Sequence, residues 1–427
     1  MAESQVRVIS IDDSPCARSE MGKIGVHETG IRIMEKKAIF YSIKVESVSS
    51  QAANIIKQEM LSLGGETAVS RDVLNFSRKK SDILLLGTEK QFAELIVKLS
   101  RHPFGLPLLS QEIKKVLSNY QKRDFKLSSK GHTLQLGKRT LIMGVLNVTP
   151  DSFYDGGRYS NFKQAVDHAL EMIEEGADII DIGGESSRPG ACPVGEKEEL
   201  ERVIPVIKKL SSRIKAFISI DTYKSEVARK AIDVGASIVN DISALRMDEK
   251  MAKVVESSGV PVCLMHMQGT PRNMQRNPRY KDVISEIFAF LRERIDFCEQ
   301  AGIDIERTIV DPGIGFGKTV EQNLQILKNL DQFRSLGRPI MVGVSRKSLI
   351  GKVLQLEPEE RLEGSLAAAI WSMIKGASIL RVHDVKETKR AVKMVEAIKE
   401  KGSESFFPAR ERSGRESVSA PERRPDE

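Results

Sequence analysis

A closed (β/α)8 barrel, of the TIM-barrel architecture, behind a small α/β domain is the fold this 427-residue sequence predicts. Two observations carry the barrel. Short, nearly continuous apolar runs recur through the second part of the chain, as expected for parallel strands covered on both faces. Most of them follow a helical stretch that stops at a glycine, at Gly176, Gly235, Gly259, Gly302, Gly337 and Gly376, and glycine is the favoured left-handed helix cap. With LIMGVLNV (141–148) and AFISIDT (216–222) the count of strands reaches eight. Eight strand–helix units within 138–401 match the size of a barrel better than that of an open doubly wound sheet.

The elements follow in order. Residues 1–37 form an unassigned leader, with a strand expected over 6–11 and a loop after it. From 38 to 121 a small α/β domain is expected. IFYSIKV has the β-branched and aromatic content of a strand. Residues 49–63 read as a helix ended by Gly64-Gly65, TAVS as a short strand and 82–86 as a strand. Helices follow over 89–99 and 110–120. This domain holds no glycine-rich phosphate loop and no His, Cys or carboxylate cluster, so its role is not assigned. The segment 122–137 reads as a polar linker and then the start of a hairpin, HTLQLGKRTLIMG, closing the bottom of the barrel. Helices are expected over 162–175, 196–210 and 365–374. The tail, 402–427, is rich in Arg, Glu, Ser and Pro and is expected to be disordered.

Composition narrows the function. No apolar run reaches the about 18 residues of a membrane span, and the N-terminus lacks a signal-peptide pattern, so a cytoplasmic protein is expected. Cys16, Cys192, Cys263 and Cys298 are scattered, which suggests reduced thiols without a zinc site. A net charge of +7 with no dense basic helix argues against nucleic acid and allows an anionic small substrate.

Polar residues stand at the same end of every expected strand. They are Asn147, Asp181, Asp221-Thr222, Asn240-Asp241, His266, Asp311, Ser345 to Ser348, and Arg381 with His383. A lone aspartate after a strand is commonly a helix cap, but a structural barrel needs no such ring, and this end of the fold carries chemistry. Two sets emerge. Asp221, Asn240, Asp311 and Lys347 suit a flat, amide-rich heterocycle, because a buried carboxylate accepts paired N–H bonds and lysine donates. Arg188, Arg381, His383, Ser187 and Asn147 suit an anion, with the asparagine carbonyl available to Mg²⁺ beside phosphates. Gly317-Lys318-Thr319 matches the end of a phosphate-loop motif, but Pro312 stands where its first glycine belongs, so an ATPase is disfavoured.

LNVTPDSF, DIGGESSRPGA, SIDT, NDI, MHMQGTP, DPGIGFGK, GVSRKS and RVH stand in this order. Over 140–401 the chain closely resembles the dihydropteroate synthases, pterin-binding barrel enzymes targeted by sulfonamides. The resemblance implies a usually dimeric transferase of folate biosynthesis. Such an enzyme condenses 6-hydroxymethyl-7,8-dihydropterin diphosphate with 4-aminobenzoate, releasing diphosphate. It implies a pterin pocket of Asp221, Asn240, Met265, Asp311, Phe316 and Lys347. Arg381 would stack on the pterin and reach the diphosphate with His383, and Ser187 and Arg188 would also bind substrate. Asp221, Lys347, Arg381 and His383 would carry catalysis. Asn147 would be the Mg²⁺-associated asparagine. Phe153, Ser187, Pro189 and Ser348 would wall the 4-aminobenzoate site. Ser187 stands where many members have threonine, which keeps the hydroxyl. A methyltetrahydrofolate-type methyltransferase, or a non-catalytic pterin-binding protein, would share the pterin contacts without needing SSRPG, SRKS and RVH together.

Overall fold

The computed structural model describes residues 4–149, 158–186 and 193–399. They fall into two compact units, divided between Gln121 and Lys122.

The first unit is a three-stranded antiparallel sheet in the order β1-β3-β2, with β1 Phe40–Ser49, β2 Glu66–Val69 and β3 Lys80–Thr88. Alternation along β3 buries Ile83 and Leu85. Against them pack Ala53, Ile56 and Met60 of helix Ser50–Ser62, and Phe92, Leu95 and Leu99 of helix Glu89–Leu99. Thr88 and Gln91 cap the latter helix reciprocally, satisfying two otherwise unpaired N–H groups. The leader differs from expectation. Residues 4–11 hold no strand, and Ser14–Lys23 and Glu28–Ala38 are helices. The supposed loop IDDSPCARSE contains the helix start: Asp13 caps it through the Cys16 amide, and Pro15 lies in its first turn, where its missing N–H costs nothing.

The second unit opens with an antiparallel hairpin, β4 (Phe125–Ser129) and β5 (His132–Leu136). This corrects the expected linker. Residues 122–130 supply a strand, and β5 pairs with it rather than with the following barrel strand. The apolar residues of β4 sit only at alternate positions, Phe125 and Leu127, so its mean polarity resembles that of a linker.

Eight parallel strands follow. They are β6 Leu141–Asn147, β7 Ile179–Gly183, β8 Phe217–Asp221, β9 Ile238–Asp241, β10 Val262–Met265, β11 Thr308–Asp311, β12 Met341–Gly343 and β13 Ile379–Val382. The order is β11-β10-β9-β8-β7-β6-β13-β12. The Val310 amide, bonded to Pro339 O at 3.0 Å, closes the seam between β11 and β12. Helices cover the outside, burying Ile142, Ile180, Ile218, Val239 and Leu264.

Inside, the strand period of two builds layers. The lowest is apolar: Met143, Ile179, Phe217, Ile238, Cys263, Ile309, Met341 and Ile379 form one cluster, floored by Phe125, Leu127 and Leu136 of the hairpin. The barrel therefore has a dry base. Removing Leu127, which is fully buried, by substitution with alanine would cost about 2–5 kcal/mol. Two residues further along the strands the interior turns polar, with Asp181, Asn240, Asp311 and Arg381. That layer is the base of the site. Among the described residues no helix is long and apolar enough to cross a membrane, and Cys16, Cys263 and Cys298 are free.

Candidate active site

Arg381 is the hub of the polar layer. It donates from Nε to Asp181 Oδ2 at 2.6 Å and from Nη2 to Asp221 Oδ2 at 2.8 Å. Asn240 Nδ2 donates to the same Asp181 oxygen at 3.0 Å. Asp181 is fully buried, and its Oδ1 has no partner. An unpaired buried carboxylate oxygen is costly and marks a place for a donor.

Two carboxylates sharing one guanidinium in a closed barrel have shifted chemistry. Burial pushes Asp221 up to about 7; Arg381 opposes the shift, and the neighbouring Asp181 charge adds to it. Burial also opposes the Arg381 charge, but Asp181 and Asp221 outweigh it and hold the guanidinium firmly protonated. Across the barrel, burial raises Asp311, with Lys347 opposing. Burial brings Lys347 down to about 8, resisted by Asp311. The pocket thus carries groups poised to exchange charge near neutrality, as functional sites do.

The loop after β11, DPGIGFGK, shapes one side. Asp311 Oδ1 accepts from the Gly313 amide at 2.7 Å. Gly313 has φ +68°, and a Cβ there would lie 1.9 Å from His266 O, so only glycine fits. Lys347 Nζ donates to Ile314 O and sits 4.7 Å from the centre of the Phe316 ring. Lys318, the lysine of the phosphate-loop resemblance, is buried and donates to Gly313 O and Phe316 O, both at 2.8 Å, and contacts His266 Nδ1 at 3.0 Å. It braces the loop instead of facing solvent. Burial, with Lys318 adding to it, pushes His266 down to about 2, so the imidazole is neutral; burial also pulls Lys318 well below the usual lysine range.

The sequence-predicted residues sort clearly. Asp221, Asn240, Asp311 and Arg381 lie inside the barrel, in or just above one layer, with Lys347 electrostatically coupled to Asp311 and Arg381. Met265 belongs to an apolar cluster with Ile242, Met267, Met274, Tyr223 and Phe316, a wall suited to a flat ring. Asn147 ends β6 opposite Gly183, and a Cβ on Gly183 would meet Asp221 Oδ2 at 3.7 Å and Asn147 Oδ1 at 3.9 Å. Those two side chains therefore flank one gap. His383 Nδ1 contacts Ser345 Oγ at 3.2 Å, and Ser348 is exposed at the start of helix Ser348–Leu354. Phe153, Ser187, Arg188 and Pro189 lie outside the described residues.

Sequence reasoning missed the part played by Asp181. It placed this residue at the end of a strand and gave it no role, whereas Asp181 is mid-strand, two residues before Gly183. The signal was available: in DIIDIG, Asp181 shares the face of Ile179, and a charge on the inward face of a buried strand needs a partner.

The model of the family described as pterin binding enzyme matches residues 143–383, a stretch that contains every barrel strand except the first two residues of β6. Dihydropteroate synthase of Escherichia coli is 50% identical over 272 residues, 64% of this chain and 96% of that protein. The chain belongs to the dihydropteroate synthases. It shares the fold of the Xanthomonas albilineans synthase solved with 4-aminobenzoic acid, at TM-score 0.62 and 45% identity over 65% of this chain and 98% of that one. Another likeness reaches further. A probable bifunctional folylpolyglutamate synthase/dihydropteroate synthase of Halobacterium salinarum is 39% identical over 395 residues, 92% of this chain and 47% of that protein. That exceeds the length of the second unit, so the likeness extends into the first. Part of the N-terminal unit is thus similar to a longer relative.

Proposed function

We propose that this transferase joins 6-hydroxymethyl-7,8-dihydropterin diphosphate to 4-aminobenzoate, giving 7,8-dihydropteroate and diphosphate. The observation that carries the reading is the inward cluster of Asp181, Asn240, Asp221 and Asp311 with Arg381 and Lys347, in a chain of this family.

The residues account for the chemistry as follows. Asp311 and Asn240, with Lys347, present acceptors and donors to the edge of a pterin ring, and Met265 and Phe316 supply its apolar wall. Arg381 offers a planar face to the ring and a charge to the diphosphate, with His383 beside it. The bond between the pterin methylene and the diphosphate oxygen breaks, and positive character spreads from the methylene into the ring. The Asp221 carboxylate stabilises that charge. The arylamine nitrogen of 4-aminobenzoate then bonds to the methylene and loses a proton, so no side-chain nucleophile is needed. Ser187, Pro189, Phe153 and Ser348 are proposed to receive 4-aminobenzoate, with Arg188 on the anionic side.

Mg²⁺ is proposed as the metal. Among the described residues no cluster of three or more His, Cys, Asp or Glu can cage an ion, but Asn147 Oδ1, beside Gly183 at the end of β6, offers an oxygen of the right hardness. Asn147 would hold the ion there, and when bound it neutralises charge on the departing diphosphate. The protein is further proposed to be cytoplasmic and homodimeric. Helices Leu362–Ile374 and Val385–Lys399 pack together and expose Trp371, Ile374, Met394 and Ile398, an apolar surface that a second copy would cover.

A diphosphate-release assay with both substrates tests the function. Release that requires 4-aminobenzoate and is matched by dihydropteroate supports it. Purified, folded protein with no turnover would overturn it.

A further inference from the structure

Arg346 is three residues past β12, in the turn that leads to Lys347, and Asp384 is two past β13, next to His383. Their side chains meet fork to fork. Arg346 Nε donates to Asp384 Oδ2 at 3.0 Å, and Nη2 donates to Oδ1 at 2.6 Å. A paired contact of this kind fixes orientation as well as distance. One residue earlier on each loop there is a second tie. Ser345 Oγ accepts from the His383 amide at 3.2 Å and contacts His383 Nδ1 at 3.2 Å. The loops after the last two barrel strands are therefore joined twice, beside the two residues they bring to the site.

Arg346 is held in a conformation that it does not favour. Its φ is +55°, in the left-handed region that residues other than glycine enter at a cost. Its backbone is gripped on both sides. The amide donates to Ser365 Oγ at 2.9 Å, and the carbonyl accepts from Arg361 Nη1 at 3.2 Å. Arg361 is itself anchored, donating from Nε to Leu356 O at 3.0 Å. A strained residue persists only where its surroundings over-determine it, and such residues gather at functional sites. The fork is a weak source of stability, because the Arg346 side chain is 36% exposed and ion pairs open to solvent contribute little. What it supplies is a fixed spacing between the loops. Lys347, on the first, donates to Ile314 O, and His383 stands on the second.

We propose that the Arg346–Asp384 fork is a positioning device: it sets the spacing between Lys347, at the pterin ring, and His383, at the diphosphate. The inference rests on the roles proposed above for those two residues. Arg346 and Asp384 act through their neighbours, without touching substrate.

The test measures kcat/KM for the pterin diphosphate and the melting temperature in the full chain. Arg346→Gly and Arg346→Ala remove the same fork, but only glycine adopts φ +55° without strain. Both should lower kcat/KM about tenfold or more, and by the same factor within about twofold. The alanine variant should melt below the glycine variant. Arg346→Lys keeps a charge opposite Asp384 without the planar fork, so it should recover part of the lost kcat/KM. Asp384→Asn should lower kcat/KM in the parent and add nothing to Arg346→Ala, because both changes act through one contact. Activity that follows the melting temperature from Gly to Ala, or losses that add, would make the pair merely structural and overturn the proposal. Lys347→Ala and His383→Ala separate the underlying roles. An unchanged kcat/KM in either overturns the role given to that residue, whereas losses in both beside an unchanged Arg346→Ala overturn the fork.

Discussion

Arg381 Nη2 donates to Asp221 Oδ2 at 2.8 Å, while its Nε is held by Asp181. The carboxylate proposed to face the developing cation is thus already paired with the arginine proposed to reach the diphosphate. Arg381→Lys keeps a positive charge but cannot fork to both carboxylates or present a flat face. It leaves Asp181, already short of a partner on Oδ1, with a weaker one. We expect kcat/KM for the pterin diphosphate to fall about tenfold to a hundredfold, equivalent to about 1.5–3 kcal/mol for a charged hydrogen bond. Steady-state kinetics check this, and an unchanged kcat/KM would remove Arg381 from substrate handling.

The same pair makes a prediction about pH. Asp221 is pushed up to about 7 and Lys347 down to about 8. Productive binding needs the first ionised and the second protonated. In the free enzyme kcat/KM for the pterin diphosphate should therefore decline below about 7 and above about 8, with limbs that belong to the coupled cluster. Stability runs the other way for Asp221. Its folded pKa exceeds its unfolded one, so the folded state retains a proton the unfolded chain has lost, and stability falls as pH rises from about 4 to about 7. Asp221→Asn should abolish the acid limb, lower turnover and flatten that part of the stability profile. A pH–rate profile identical to that of the parent would show that Asp221 does not titrate in catalysis.

What the sequence made legible follows from period and composition. The eight barrel strands were readable because each is a short apolar run after a cap such as Gly259, φ +65°. The site was readable because Asn147, Asp221, Asn240 and Asp311 end such runs. Asp181 was read as one more polar strand end and given no role, because its place on the inward face of Ile179 was not used. The hairpin strand Phe125–Ser129 escaped for a related reason: with one face on the floor and one in water, only alternate residues are apolar. The contacts of Lys224 with Glu185, Val194 and Glu199 could not be read from sequence at all, since these residues converge only through the fold.

Metal dependence should follow substrate. Asn147 is neutral, and the described residues hold no cage of three acidic, His or Cys ligands. Mg²⁺ keeps most of its waters unless phosphate oxygens replace them. Calorimetry should detect no tight Mg²⁺ binding to the free protein and clear binding once the pterin diphosphate is present. Asn147→Ala should weaken the second without affecting the fold. Tight binding to the free protein would show a metal site made by the protein alone.

The barrel should stand without the first unit, provided the cut respects its floor. The strands and the hairpin all lie after Lys122, and 96% of the Escherichia coli relative aligns with only 64% of this chain. A fragment beginning at Lys122 should therefore fold and turn over both substrates. A fragment beginning at Lys138 keeps every barrel strand but loses Phe125, Leu127 and Leu136, which cover Met143, Ile179 and Met341. Each buried apolar side chain contributes about 1.5–3 kcal/mol, so the loss is comparable with the about 5–15 kcal/mol stability of a whole domain. The shorter fragment should be insoluble or melt far below the longer one, as circular dichroism would show. Equal stability of the two would mean that the hairpin is an ornament, and an inactive but folded longer fragment would mean that the first unit contributes to the site.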